Sequence, residues 1–357
     1  VGWAGYAAGL IQQAGWPIPT QLLAGPDAGG VINLPAVFIA LAVTALLLVG
    51  TRESAMVNSV LVVVKLVALA AFVALTLPAF DAANFTPFAP FGFGADEIDG
   101  QKFGVMGAAA IIFFAFYGFD AISTAAEEAK NPKRDLTIGI VGSMALCTII
   151  YMVVAAAALG AKPFAEFSRS PEPLAFVLRE LGHPTMASLI AGAAVIALPT
   201  VIMVFMFGQS RVFFAMARDG LLPERLARVD GRGVPAAVTL LTGVMAAIIA
   251  GAMPLSGIAS LANAGTLAAF IATALAVLWL RRNRPELERP FRTPMVWLIA
   301  PAAIVGCLYL FTSLTAHTIA FFFAWNAFGV VVYFVYARRN SRLATGGGTR
   351  QAESKRR

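Results

Sequence analysis

Charge is what this chain has least of. Asp, Glu, Lys and Arg make up only 13% of its 357 residues, while 59% are hydrophobic. Soluble domains carry about 25% charged residues, so a water-soluble globular fold is excluded. Histidine is nearly absent: His183 and His317 stand far apart and make no metal-ligand spacing. Gly-x-Ser-x-Gly and the common metal motifs are missing as well, which argues against a membrane enzyme. The two cysteines, Cys147 and Cys307, each sit in an apolar run and form neither a metal nor a disulfide pattern. Strict apolar–polar alternation is also lacking, which excludes a transmembrane barrel.

What is present is a series of continuous apolar runs, each about as long as a membrane-crossing helix. Ten are read: 1–14, 32–50, 56–78, 104–126, 136–160, 186–214, 235–253, 258–280, 294–314 and 316–337. The transmembrane domain is therefore 1–337. Residues 338–357 form a basic, glycine-containing tail expected to be disordered, with lipid-headgroup binding as a competing reading. No signal peptide is visible, and the opening VGWAGYAAGL reads as if cut within a helix, which predicts a fragment.

The connections alternate in charge. One set holds 21 of the basic residues and the other only Lys102, Lys162, Arg169 and Arg179. Basic connections mark the cytoplasmic side, so the fourth run is expected to cross inward and the C-terminus to be cytoplasmic. The net charge of +7 expresses this bias and not a nucleic-acid surface.

Two formally charged side chains fall well inside runs, Lys65 and Asp120. Ionisable groups at that depth are costly and usually face a cavity or a partner. Lys65 is about nine residues, roughly 13 Å, from the cytoplasmic end of its run. It either snorkels to the interface or is a desolvated amine that exchanges a proton or donates to free carbonyls. Asp120 follows Gly118 in FFAFYGFDAISTAAEEAKNPKRD. Either it is satisfied near a helix end, or the helix breaks near Tyr117–Gly118 and exposes carbonyls to a midplane ligand. Phe114, Phe116, Tyr117 and Phe119 would then line the pocket, although plain packing explains such a cluster equally well. Glu127 and Glu128 form either a solvated charge cluster or part of a cytoplasmic gate.

The stretch FFAFYGFDAISTAAEEAKNPKRDLTIGI resembles the sixth helix and following loop of the amino acid–polyamine–organocation superfamily, in particular its cationic amino acid transporter-like bacterial permeases. TRESAMVNSVLVVVKL, NFTPFAPFGFG, GQSRVFFAMARDGLLP and RPELERPFRTP are similar to four further segments in the same order. The resemblance implies an all-α integral membrane fold of two inverted five-helix repeats plus two C-terminal helices. The ten runs would be helices three to twelve, with the first two absent. It implies secondary active transport of L-amino acids by alternating access, as proton-coupled symport or as cationic amino acid exchange. An inactive fragment or a non-transporting membrane component is the alternative. The location implied is a bacterial inner membrane, and no cofactor is expected.

Carried onto this sequence, the resemblance has the carbonyls of Phe114, Ala115 and Tyr117 receive the substrate's α-ammonium group, with Phe114 covering it and Gly118 permitting the break. Asp120 would gate the site, and Lys65 would take the place of a sodium ion, which implies proton coupling. Met203 and Met206 are candidates for the side-chain pocket, whose neutral character suggests small or apolar substrates.

Overall fold

The computed structural model describes residues 1–341 apart from 17, 27–28, 51–54, 99–100, 120–130, 168–169, 232–233, 288 and 290. A helix occupies each of the ten apolar runs. The elements are α1 (Gly2–Gln13), α2 (Leu34–Val49), α3 (Ala55–Thr76), β1 (Asp96–Ile98), β2 (Gln101–Phe103), α4 (Val105–Ile112) and α5 (Pro132–Ala161). They continue with α6 (Pro173–Glu180), α7 (Pro184–Arg218), α8 (Ala236–Ala252), α9 (Leu255–Asn283), α10 (Val296–Thr312) and α11 (Ala316–Val332). Among the described residues, five helical stretches are long and apolar enough to cross a membrane: 59–79, 134–161, 184–218, 255–283 and 316–340. Apolar helices of 10–17 residues occupy 34–49, 105–116, 236–252 and 296–312. Seventeen residues rise about 26 Å, a little under a hydrocarbon core of about 30 Å.

The fold is all-α, with one small hairpin among the described residues. Outside the apolar runs, β1 and β2 pair antiparallel, with Glu97 opposite Lys102 and their side chains 3.3 Å apart. The expected C-terminal tail begins as helix at Arg338–Asn340, and residues 342–357 lie outside those described.

The helices fall into two compact units. The first comprises 1–79, 164–255 and 325 onward, and its core is an apolar stripe on α2. Ile39, Val43 and Leu47 recur at helical spacing and pack on Met206 of α7, with Trp3, Ile202 and Met203 against them. Asn33 starts α2 by accepting a hydrogen bond from the Ala36 amide at 3.1 Å, and Gly50, at φ +83°, ends it. Close approach of α2 and α8 depends on Gly243, since a methyl group there would collide with the Thr44 side chain. Thr44 itself is inside, its hydroxyl donating to the Ala40 carbonyl at 2.6 Å. In the same way Gly5 and Gly9 of α1 admit Pro171 and the carboxylate of Glu172, which is buried and paired with Arg179.

On α3 the pattern separates two faces. Val60, Val63 and Val67 are each more than half exposed, at i, i+3 and i+7, a stripe suited to lipid. Phe72 and Thr76 are fully buried on another face. Lys65 lies about two turns before Phe72 on that protected side and is half-buried.

The second unit comprises 80–163 and 256–324. Its core is Ala110, Ala264, Leu267 and Leu314, ringed by Phe113, Phe311 and Phe322 among others. At its edge Phe80 lies where any side chain at Gly160 would stand, and the Asp81 amide donates to the Gly160 carbonyl at 2.8 Å.

Candidate functional site

The span from Val105 does not continue as one helix. α4 ends at Ile112, a 3-10 segment covers Phe113–Phe116, and Tyr117 is extended at φ −58°, ψ 145°. Gly118 follows at φ +113°, in the region that residues with a Cβ avoid. No heavy atom of the described residues would come within 4 Å of a Cβ added there. Glycine is therefore required by the backbone and not by crowding.

A break in lipid releases carbonyls that need partners. Asn263 of α9, fully buried, supplies two hydrogen bonds through Nδ2, to the Ala110 carbonyl at 2.6 Å and the Ile111 carbonyl at 3.1 Å. The Tyr151 hydroxyl of α5 donates to the Ala115 carbonyl at 3.1 Å. The Phe114 carbonyl accepts from the Tyr117 amide at 3.2 Å. The buried Oδ1 of Asn263 has no hydrogen-bond partner among the described residues.

Aromatic rings hold the interruption. Phe113 meets Tyr117 and Phe270 edge-on at 6.2 and 6.1 Å, Phe119 meets Phe270 at 5.4 Å, and Phe116 meets Tyr151 at 5.4 Å. Beside them is a cavity of about 240 Å³. Its walls are Ala115 to Phe119 on one side and Ser143, Met144, Cys147 and Tyr151 of α5 on the other. None of these described lining residues is charged.

The structure thus gathers Ala115, Tyr117 and Gly118 around one cavity, as wall residues. Phe114 is not among the described lining residues; its ring packs on Tyr117 with centroids 5.1 Å apart. Met206 and Met203 belong to the first unit, where they pack on the α2 stripe, and Lys65 lies on α3 of that unit. Asp120, Glu127 and Glu128 lie outside the described residues. Sequence reading did not single out Asn263, Tyr151, Ser143 or Phe270. Asn263 and Tyr151 carried a usable signal, a hydrogen-bonding side chain in the middle of an apolar run that must find a partner.

A multi-pass helical membrane protein whose span is interrupted beside a cavity has the architecture of a transporter rather than an enzyme. The chain belongs to the amino acid permease family, whose model matches residues 4–345. It is 41% identical over 348 residues to the branched-chain amino acid permease BcaP of Bacillus subtilis (strain 168), covering 96% of this chain and 73% of that protein. The methylthioribose transporter of the same organism is 38% identical over 345 residues, with the same two coverages. Cationic amino acid transporter 9, chloroplastic, of Arabidopsis thaliana is 36% identical over 232 residues, covering 63% of this chain and 39% of that protein.

Proposed function

We propose that this permease carries L-amino acids across a bacterial inner membrane by alternating access, coupled to proton entry. The observation that carries the reading is the interruption at Phe116–Gly118 beside a cavity whose described lining residues are uncharged. Half-helix ends at a midplane cavity are where many secondary transporters hold a zwitterion. In this reading the α-ammonium group donates to the carbonyls of Phe114, Ala115 and Tyr117. Ala115 already accepts from Tyr151, and a carbonyl oxygen has a second lone pair to offer. Phe114 covers the substrate, and Gly118 holds the break open. Lys65 serves as the proton-linked cation, and Asp120, Glu127 and Glu128 form the cytoplasmic gate. The helices follow the five-plus-five inverted repeat with two further C-terminal helices, and the C-terminus is cytoplasmic.

The absence of charge among the described lining residues favours neutral over cationic side chains. The name of the Bacillus branched-chain permease supports the same preference. The test is uptake of labelled leucine, alanine and arginine into proteoliposomes under an imposed inward proton gradient. Leucine and alanine are expected to accumulate more than arginine, and a proton carrier is expected to abolish the accumulation. Uptake no greater than in protein-free vesicles would overturn the transport reading. Accumulation indifferent to the gradient would remove proton coupling, and uptake only into amino acid-loaded vesicles would replace symport by exchange.

A further inference from the structure

We infer that a second cavity, at the far end of α7, binds a phosphate-bearing anion through Arg218, Arg225 and Arg228. It lies wholly within the first unit and encloses about 900 Å³. α7 delivers Arg218 in its last turn. A 3-10 turn, Glu224–Ala227, carries Arg225, and Arg228 follows in extended backbone. Tyr336 and Asn340 form the facing wall, and the Asn340 amide donates to the Tyr336 carbonyl at 2.9 Å. A π-helical turn, Tyr333–Ala337, lies on that wall and includes Tyr336.

Among the described residues, the fold makes little use of the three guanidinium groups. The carbonyls at the end of α7 are capped by backbone amides: Asp219 to Ala215 at 2.9 Å, Gly220 to Ala217 at 3.1 Å and Leu221 to Met216 at 2.9 Å. Gly220, at φ +81°, makes that turn possible. Arg218 has only an exposed contact with Asp219 at 3.5 Å, of a kind worth little. Arg225 and Arg228 have no hydrogen bond or ion pair among the described residues, and Glu224 is the one acid on the described walls. The next basic connection differs. There Arg289 donates to the carbonyls of Leu280, Arg284, Pro285 and Leu287, and Arg281 to that of Thr293. Those arginines tie a loop together, whereas Arg225 and Arg228 have donors that no described residue takes up.

Position selects the ligand. The 35 residues of α7 rise about 52 Å, well beyond a hydrocarbon core of about 30 Å, so its end stands among the lipid headgroups or beyond them. Guanidinium forks match phosphate oxygens two at a time, and basic pockets between membrane helices accept anionic headgroups. The ligand is a phosphate group, supplied either by an anionic lipid or by a free phosphate. Once bound, it would join the connection after α7 to the C-terminal helix.

The test compares the full chain with R225Q/R228Q and with R284Q/R292Q, which removes the same charge from the other basic connection. Each is reconstituted in phosphatidylcholine vesicles with or without phosphatidylglycerol, and phosphatidylglycerol retained after extraction is measured. A second arm titrates inorganic phosphate against the protein in neutral lipid and follows the unfolding midpoint. For a lipid ligand, retention by R225Q/R228Q should fall roughly 30-fold, about fivefold per arginine, while R284Q/R292Q retains as much as the parent. For a free phosphate, retention is equal throughout, and phosphate raises the midpoint of the parent and of R284Q/R292Q but not of R225Q/R228Q. Should R225Q/R228Q not fold, R228Q alone is expected to show the fivefold loss. Equal behaviour of the cavity and control variants in both arms would overturn the proposal.

Discussion

Two membrane helices each contain a residue that breaks helices, and only one is broken. α7 carries Pro199 and still runs unbroken for 35 residues. The span that begins with α4 has no proline and stops within twelve residues, before Tyr117 and Gly118. The difference lies in what each residue does to the chain. Proline keeps a helical φ and removes one donor, so the Val195 carbonyl loses its partner while the axis continues. The indole of Trp3 fills that gap, donating to Val195 at 2.9 Å. Gly118, at φ +113°, takes the backbone out of helical space, and no single donor can repair that. A missing hydrogen bond can be supplied from a neighbouring helix; a reversed dihedral cannot.

The largest effect is expected at Gly118. Gly118→Ala places a Cβ in a conformation it disfavours by about 1–3 kcal/mol, with no described heavy atom within 4 Å of it. Leucine uptake should fall by about tenfold or more at equal membrane abundance. Gly142→Ala on α5, also in open space but in ordinary helix, should leave uptake unchanged and stabilise by up to about 1 kcal/mol. Equal losses in the two would mean that the dihedral is not what matters.

Next is Asn263→Ala, which strands the Ala110 carbonyl in the core of the second unit and leaves the Ile111 carbonyl with a backbone amide alone. It should cost about 1–3 kcal/mol, read as a lowered unfolding midpoint in detergent. Trp3→Phe should cost less, about 1 kcal/mol, and that cost should vanish in a Pro199→Ala background, where the helix regains its own donor. A cost that persists there would show that Trp3 contributes packing alone. Tyr151→Phe is the smallest, at most about 1 kcal/mol, because the Ala115 carbonyl faces a cavity in which another donor can replace the hydroxyl. In uptake assays it should alter KM more than the maximal rate.

The sequence makes the helices legible because hydropathy is a local property. Each apolar run became a helix, and the pause at Gly118 within an aromatic run located the interruption. Length was less legible. α2, α8 and α10 have 16 or 17 residues, because Gly50, Met253 and Ser313 end them earlier than the apolar run does. The partners of the freed carbonyls were not legible. Asn263 and Trp3 lie 153 and 192 residues from the groups they satisfy, and nothing local encodes such a distance. A search limited to formal charge also passes over neutral amides and hydroxyls, yet in lipid these must be paired just as surely. The β1–β2 hairpin escaped notice because three-residue strands carry too little alternation to register.

The central claim is that the cavity beside the interruption is where substrate sits. Cys147 lines that cavity, and Cys307 packs in the core of the second unit. With Cys307→Ser, a small thiol reagent reports on Cys147 alone. The account predicts that a transported amino acid slows labelling of Cys147 several-fold, with a concentration dependence matching its uptake. Labelling at an unchanged rate under saturating, actively transported substrate would contradict it.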